Sequence, residues 1–98
     1  MKLDYVKLRV MGYVAANTDK KGWCHDGSQR IAGRLELPAE DVKVALLQLI
    51  HDALLVTQNP EPGAKVIPIK LTEEANVLRI RAFEQMFPDI KKALLTIR

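Results

Sequence analysis

The sequence predicts a small, mostly α-helical domain that carries a β-hairpin. Apolar residues recur at helical spacing in successive segments of the chain, which is the pattern of amphipathic helices. The turn-forming stretch NPEPG separates two short β-type segments after the third helical segment, as in a hairpin. The length of 98 residues and the apolar fraction of 48% suit one globular domain. We therefore treat residues 1–98 as one domain, in which residues 72–98 form a C-terminal helical extension.

A first helix is expected over residues 2–18, followed by a short strand. The apolar residues of this helix fall at helical spacing and form one inward stripe. The stripe comprises Leu3, Val6, Val10, Tyr13 and Val14. The polar stretch NTDKKG contains turn-forming residues and breaks the helix. The segment GWCH that follows is short and predicts a brief β-strand.

Two further helices with a tight turn between them are expected next. Ser28 is a good N-cap for the segment SQRIAGRL. Pro38 suits the first position of the following helix, in which Glu40 and Asp41 complement the positive end of the helix dipole. That helix is predicted to run to about Asp52. Its inward face comprises Val42, Ala45, Leu46, Leu49 and Ala53.

The segments LLVTQ and AKVIPIKL on either side of NPEPG are expected to pair as a hairpin. Pro68 cannot donate a backbone hydrogen bond, so an edge position suits it. Thr72 can cap a fourth helix, and the segment PDIKKALLTI predicts a last short one. The apolar residues of the fourth helix are Val77, Leu78, Ile80, Phe83, Met86 and Phe87.

This order of elements is that of a winged helix-turn-helix, in which a hairpin directly follows the second helix of the helix-turn-helix unit. From about Lys7 to Ala75 the chain resembles the winged helix-turn-helix domains of phage and plasmid replication proteins and related regulators. The segments SQRIAGRL and VKVALLQL match the spacing of that family, and KLTEEA is similar to the start of its next helix. The matching residues are Ser28, Gln29, Ile31, Ala32, Leu35, Val42, Ala45, Leu46 and Leu49. The resemblance implies a domain that binds duplex DNA.

The start of the third helix departs from the family pattern. In that family, the helix that enters the DNA groove usually begins with Ser, Thr, Arg or Lys. This chain has Pro38, Ala39, Glu40 and Asp41 at the matching positions, and it has Ala53 where the family often has glycine. Lys43 keeps the expected character. The departure leaves two hypotheses for the function.

The first hypothesis is a small protein that binds double-stranded DNA, either a transcriptional regulator or a replication accessory factor of phage or mobile-element type. Polar and basic side chains would bind the phosphate backbone, and the start of the second helix would offer backbone N–H groups to a phosphate. These residues are Ser28, Gln29, Arg30, Arg34, Lys43 and Lys65.

The second hypothesis is a winged helix that binds a protein partner, as an inhibitor or adaptor would. With Val42 inward, a helical wheel directs a different stripe outward, and it includes two apolar side chains. Exposed apolar neighbours suit a protein surface better than a DNA groove. The proposed contact patch comprises Glu40, Asp41, Val44 and Leu47.

The C-terminal extension carries more apolar surface than a small winged helix needs. These residues either fold back on the first helix as core or form a two-fold homodimer interface, and we favour the homodimer. The residues concerned are Phe83, Met86, Phe87, Ile90 and Leu94.

Composition excludes several other classes of function. The 15 basic and 12 acidic residues give a formal charge of +3, which permits a phosphate-binding face without requiring one. Cys24 has no second cysteine to pair with, and the ligand types in WCHD are too crowded for a metal site. The chain shows no signal peptide, no membrane-spanning run and no catalytic motif. We expect a cytoplasmic protein that is not an enzyme and needs no cofactor.

Overall fold

The computed structural model describes residues 4–86 and shows a winged helix-turn-helix. The elements are α1 (Tyr5–Ala16), α2 (Ser28–Leu35), α3 (Ala39–His51), β1 (Leu55–Thr57), β2 (Ile69–Leu71) and α4 (Glu73–Met86). Helices α2 and α3 form the helix-turn-helix unit, and β1 and β2 form the antiparallel wing. The predicted fold class is therefore confirmed. None of the helices within residues 4–86 is long and apolar enough to cross a lipid bilayer.

Helix α1 is shorter than the predicted span of residues 2–18. It is capped by Asp4, whose Oδ1 accepts a hydrogen bond from the Lys7 N–H at 2.8 Å. At the other end, the backbone of Asn17 leaves the helical region, so the helix ends at Ala16. Leu3, which was assigned to the inward stripe, lies outside the described residues. The fully buried residues of α1 are Val10, Met11 and Val14.

The predicted starts of α2 and α3 are each wrong by one residue. Gly27, and not Ser28, is the N-cap of α2. The backbone of Gly27 is extended, and its carbonyl accepts the first hydrogen bond of the helix, from the Ile31 N–H at 3.0 Å. Ser28 is the first helical residue and makes no capping bond through its side chain. Pro38 likewise precedes α3 as its N-cap, with its carbonyl 3.2 Å from the Val42 N. The turn between the helices passes through Glu36 in the left-handed conformation, at φ 56°.

The wing is shorter than predicted, and its second strand is paired on both sides. The register pairs Leu55 with Leu71, Val56 with Lys70 and Thr57 with Ile69. The segment GWCH contributes a single bridge, in which Cys24 and Ile69 exchange backbone hydrogen bonds of 2.7 and 2.9 Å. Strand β2 begins only after Pro68, which has no N–H to donate, and the rest of AKVIPIKL forms the wing loop. Pro68 therefore lies just before strand β2, outside the paired residues of the wing, and not at the edge of a strand as expected.

One core joins α1, the helix-turn-helix unit, the wing and the start of α4. Its members are Val10, Met11, Val14, Cys24, Ile31, Ala32, Val42, Ala45, Leu49, Leu54, Leu55, Ile69, Leu71 and Ala75. Of the residues predicted to point inward from α3, Leu46 is half-buried and packs against this core, whereas Ala53 is exposed, so the prediction for Ala53 is wrong. Ala53 turns away from the core because the chain passes from α3 to β1 through a left-handed residue there, at φ 60°.

Helix α4 begins as predicted. Thr72 caps it, since its Oγ1 accepts from the Ala75 N–H at 3.1 Å. The apolar residues Val77, Ile80 and Phe83 are exposed, with 48%, 48% and 42% of their surface accessible among the described residues. Met86 is the last residue of α4. Phe87, Ile90, Leu94 and the predicted last helix over residues 88–97 lie outside the described residues.

Candidate nucleic-acid interface

A groove runs between α3 and the wing, and it collects several of the predicted site residues. Lys43 of α3, Lys65 of the wing loop and Ser28, the first residue of α2, all line it. Its volume is about 330 Å³, and most of its wall is apolar. The lining residues are Asp26, Gly27, Ser28, Lys43, Leu46, Leu47, Ile50, Lys65, Val66, Ile67 and Ile69.

The wing loop packs against the start of α2. A Cβ added to Gly27 would lie 3.4 Å from Cγ2 of Val66, so the wing approaches the backbone of the N-cap residue closely. This contact places Lys65, the neighbour of Val66, beside the first turn of α2. The wing loop is therefore fixed next to the helix-turn-helix unit rather than projecting alone.

A second, adjoining groove lies on the other side of Lys65. It is lined by residues 25–30 together with Lys65 and Val66, so it brings Ser28, Gln29 and Arg30 together. The first N–H groups of α2 point out of the helix here, and no side chain caps them. These N–H groups, the helix dipole, Arg30 and Lys65 favour an anion, whereas the carboxylate of Asp26, which lines the same groove, opposes one.

Asp26 links Arg30 to the first helix. Its Oδ1 lies 3.3 Å from Nε of Arg30, and its Oδ2 accepts a hydrogen bond from the Tyr13 hydroxyl. That hydrogen bond, together with partial burial, raises the pKa of Tyr13 above its ordinary value of 10.0. A guanidinium has five N–H donors, so pairing through Nε holds Arg30 in place and still leaves donors for a phosphate.

Arg34 is the predicted phosphate contact that neither groove contains. It is exposed in the last turn of α2, and its positive charge opposes the rise that Asp26 causes in the pKa of Tyr13. Arg34 therefore lies on the side of α2 nearer to α1.

The outward side of α3 carries the mixed stripe that the helical wheel predicted. Glu40, Asp41 and Lys43 are exposed, and so are Val44 at 44% and Leu47 at 58%. Ile50 continues the apolar part of this surface at 36% exposure.

Two features of the interface were missed by sequence reasoning. Asp26 stands four residues before Arg30, a spacing typical of helical ion pairs that could have indicated the contact. Ile50 lies three residues after Leu47 and Ile67 lies in the return segment of the wing, yet only the packed wing shows that both line one groove.

The loop before the strand-like bridge is held together by Asp19. Its Oδ1 accepts from the N–H groups of Lys21 and Trp23, and its Oδ2 lies 2.7 Å from Nε2 of His25. The hydrogen bond to His25 and those to the backbone lower the pKa of Asp19 to about 2. Cys24 points into the core, where burial raises the pKa of its thiol, while His25 is exposed. Within residues 4–86, no group of three or more potential ligands could hold a metal ion.

No protein-family model and no curated protein matches this chain. Solved structures do match it. A MepR variant from S. aureus, bound to an oligodeoxyribonucleotide, superimposes with a TM-score of 0.66 at 18% identity, covering 96% of this chain and 64% of that one. The zinc-responsive MarR family member ZitR from Lactococcus lactis gives 0.66 at 21% identity, covering 96% and 62%.

A MarR family regulator from Neisseria meningitidis gives a TM-score of 0.60 at 21% identity, covering 94% of this chain and 62% of that one. At such identities the likeness shows the fold, which is that of winged-helix proteins. This chain spans less than two thirds of the length of these three structures. The winged helix-turn-helix part of the predicted resemblance is confirmed, and its phage and replication type stays a prediction.

Proposed function

We propose that this chain binds double-stranded DNA as a transcription regulator. The observation that carries the proposal is the gathering of cationic and polar groups on one face, around two adjoining grooves. The wing contributes Lys65, α3 contributes Lys43, and the first turn of α2 contributes Ser28, Gln29 and Arg30. These groups donate hydrogen bonds or carry positive charge, as a phosphate backbone requires.

The structural neighbours support the regulator role more than the replication role. One of them was solved with an oligodeoxyribonucleotide bound, and another is a MarR family regulator. The sequence resemblance to phage and plasmid replication proteins adds the alternative of a replication accessory factor. That role, a phage or mobile-element origin and a cytoplasmic location stay predictions.

The proposed binding mode separates affinity from base recognition. Arg30, Lys43 and Lys65 would neutralise phosphates, with Arg34 as a further contact one turn along α2. The N–H groups of the first turn of α2 would fix the register of one phosphate. Neutralised phosphates release condensed counterions, so this part of the affinity falls as salt rises. With four such cations, the logarithm of the association constant should fall with the logarithm of the salt concentration with a slope of about −3.6.

Fluorescence anisotropy of a labelled mixed-sequence duplex tests the proposal. We expect binding at about 50 mM salt that weakens about 150-fold at about 200 mM, as the slope requires. A duplex competitor should displace the labelled DNA, and an uncharged competitor of similar size should not. Absence of binding at the lower salt concentration would overturn the proposal.

A second candidate function rests on the exposed apolar surface of α3. Val44, Leu47 and Ile50 lie next to each other on the helix, and Glu40 and Asp41 precede them. This surface would suit a protein partner of an inhibitor or adaptor. The variant Leu47→Asp should then lose a partner that the wild-type protein captures, while Arg81→Asp on α4 should keep it. Capture that survives Leu47→Asp would count against this candidate.

We also propose that the C-terminal extension forms a homodimer. The exposed Val77, Ile80 and Phe83 of α4 support it, and the proposed interface continues through Met86, Phe87, Ile90 and Leu94. Two DNA-binding faces joined in a dimer bind more tightly than one alone. Sedimentation velocity should show a dimer that Ile80→Glu dissociates, whereas a wild-type protein that sediments as a monomer at high concentration would refute the dimer.

A further inference from the structure

We propose that Val44 and Leu47 recognise the 5-methyl groups of thymine in the major groove, so that the DNA partner is rich in A·T pairs. This inference rests on the proposed DNA-binding function and names the class of sequence that the same face would select. It assigns a role to the stripe that departs most from a typical DNA-reading helix.

The exposed stripe calls for an apolar counterpart. Val44 and Leu47 have 44% and 58% of their surface accessible, and neither belongs to the hydrophobic core. Removing apolar surface from water is favourable when the opposing group is also apolar. Among the base edges in the major groove, the methyl group of thymine is the apolar one.

The surroundings of the stripe favour DNA over other apolar counterparts. Lys43 precedes Val44 in the chain, and Lys65 lies across the groove that Leu47 helps to line. Leu47 therefore shares this groove with Lys43 and Lys65, and Val44 follows Lys43 on the exposed side of α3. A duplex offers anionic phosphates next to the apolar methyl groups, and this complements the cations that lie beside Leu47 on the wing side.

The spacing on the helix fits successive base pairs. Residues three apart in a helix are separated by about 4.5 Å along its axis and are neighbours on the same side of its surface. Base pairs in a duplex rise by about 3.4 Å. Val44 and Leu47 can thus each meet a methyl group on neighbouring base pairs, which favours steps with a thymine at both positions.

The acidic start of α3 is consistent with the recognition of A·T pairs by this stripe. Glu40 is exposed one turn before Val44, and a carboxylate only accepts hydrogen bonds. In the major groove the amino groups of adenine and cytosine donate, whereas the O6 and N7 atoms of guanine accept. A guanine opposite Glu40, Val44 and Leu47 would find no donor on those three side chains.

The test compares two labelled duplex libraries of the same random sequence, one with thymidine and one with deoxyuridine in its place. Deoxyuridine pairs like thymidine and lacks only the methyl group. We expect the wild-type protein to bind the deoxyuridine library about 16-fold more weakly, since each of the two buried methyl groups contributes about 4-fold. The double variant Val44→Ser/Leu47→Ser replaces both apolar side chains by polar ones and should bind both libraries alike, with the wild-type salt slope.

Each outcome decides something different. Equal wild-type binding to both libraries, still steeply dependent on salt, would overturn thymine recognition and leave the DNA-binding function in place. A difference between the libraries that persists in the double variant would also overturn it, because the methyl groups would then act without these residues. No binding to either library at low salt would overturn both proposals and favour a protein partner for the stripe. Circular dichroism of the variant checks that its helices are intact.

Discussion

The two helices of the helix-turn-helix unit present different chemistry to solvent. The exposed side chains of α2 are polar or cationic and include Gln29, Arg30 and Arg34. Those of α3 begin with Glu40 and Asp41 and continue into apolar Val44 and Leu47, with Lys43 as a cation among them. If both helices carried cations, the same residues would determine both the affinity for DNA and the recognition of its bases.

The difference indicates a division of work across the interface. The first turn of α2 and the wing hold charge and hydrogen-bond donors, which suit the phosphate backbone whatever the sequence. The stripe of α3 adds little charge, so any contribution it makes has to come from shape and apolar contact. Variants of the two surfaces should therefore change different properties.

The largest effect is expected for the inner side of α3. Leu49 is fully buried, so Leu49→Ala should lower the free energy of unfolding by about 2–5 kcal/mol through lost contacts and a cavity. Leu47→Ala on the outer side is the matched control and should change it by no more than about 0.5 kcal/mol. Urea denaturation measures both, and equal losses would mean that the outer stripe also supports the fold.

The next largest effect concerns the cations of the groove. Lys43→Ala combined with Lys65→Ala should weaken binding to mixed-sequence duplex about 30-fold at about 0.1 M salt and reduce the salt slope by about 2. Anisotropy titrations at several salt concentrations measure both quantities.

The control for that variant removes the same charge elsewhere. Lys7→Ala combined with Arg81→Ala changes α1 and α4 and leaves both grooves intact. We expect its slope to equal that of the wild-type protein. If the two double variants weaken binding equally, net charge rather than this face is responsible.

A smaller effect is expected where α2 is anchored to α1. Tyr13→Phe removes the hydrogen bond to Asp26 and should cost about 1 kcal/mol of stability at neutral pH. The raised pKa of Tyr13 means that folding favours the neutral hydroxyl, so its contribution is complete below pH 10 and is lost as the pH rises further. Wild-type protein should thus lose stability in alkali more steeply than Tyr13→Phe. Parallel losses in urea titrations at rising pH would show that another group is responsible.

The smallest effect is expected at the junction of α3 and the wing. Ala53 has φ 60°, where a side chain is strained and glycine is not, so Ala53→Gly should stabilise the protein by up to about 1 kcal/mol. DNA affinity should stay unchanged, since Ala53 lines neither groove. A destabilised variant in thermal denaturation would mean that the entropy of the unfolded glycine outweighs the strain.

Much of the fold could be predicted because its information is local. Helical spacing of apolar residues located the helices, and NPEPG located the wing between two short strands. The starts of α2 and α3 were each misplaced by one residue, since Gly27 and Ser28 are both acceptable caps. Val66 packs closely against Gly27, and this contact between segments distant in sequence favours glycine as the cap.

The candidate site could be predicted only in part, for the same reason. The helical wheel identified Val44 and Leu47 as exposed, and the sequence identified the cations. It did not show that Lys65 lies beside the first turn of α2 or that Arg34 stands outside both grooves. Those positions depend on how the wing folds back on the helices, which no local pattern encodes.

Mapping the bound face by nuclear magnetic resonance tests the central claim most directly. Amide signals of ¹⁵N-labelled protein would be followed while an A·T-rich duplex is added at low salt. We predict the largest shifts at residues 27–30, at Lys43, Val44 and Leu47, and at Lys65. Shifts confined to α1 and α4, with none on α2, α3 or the wing, would contradict it.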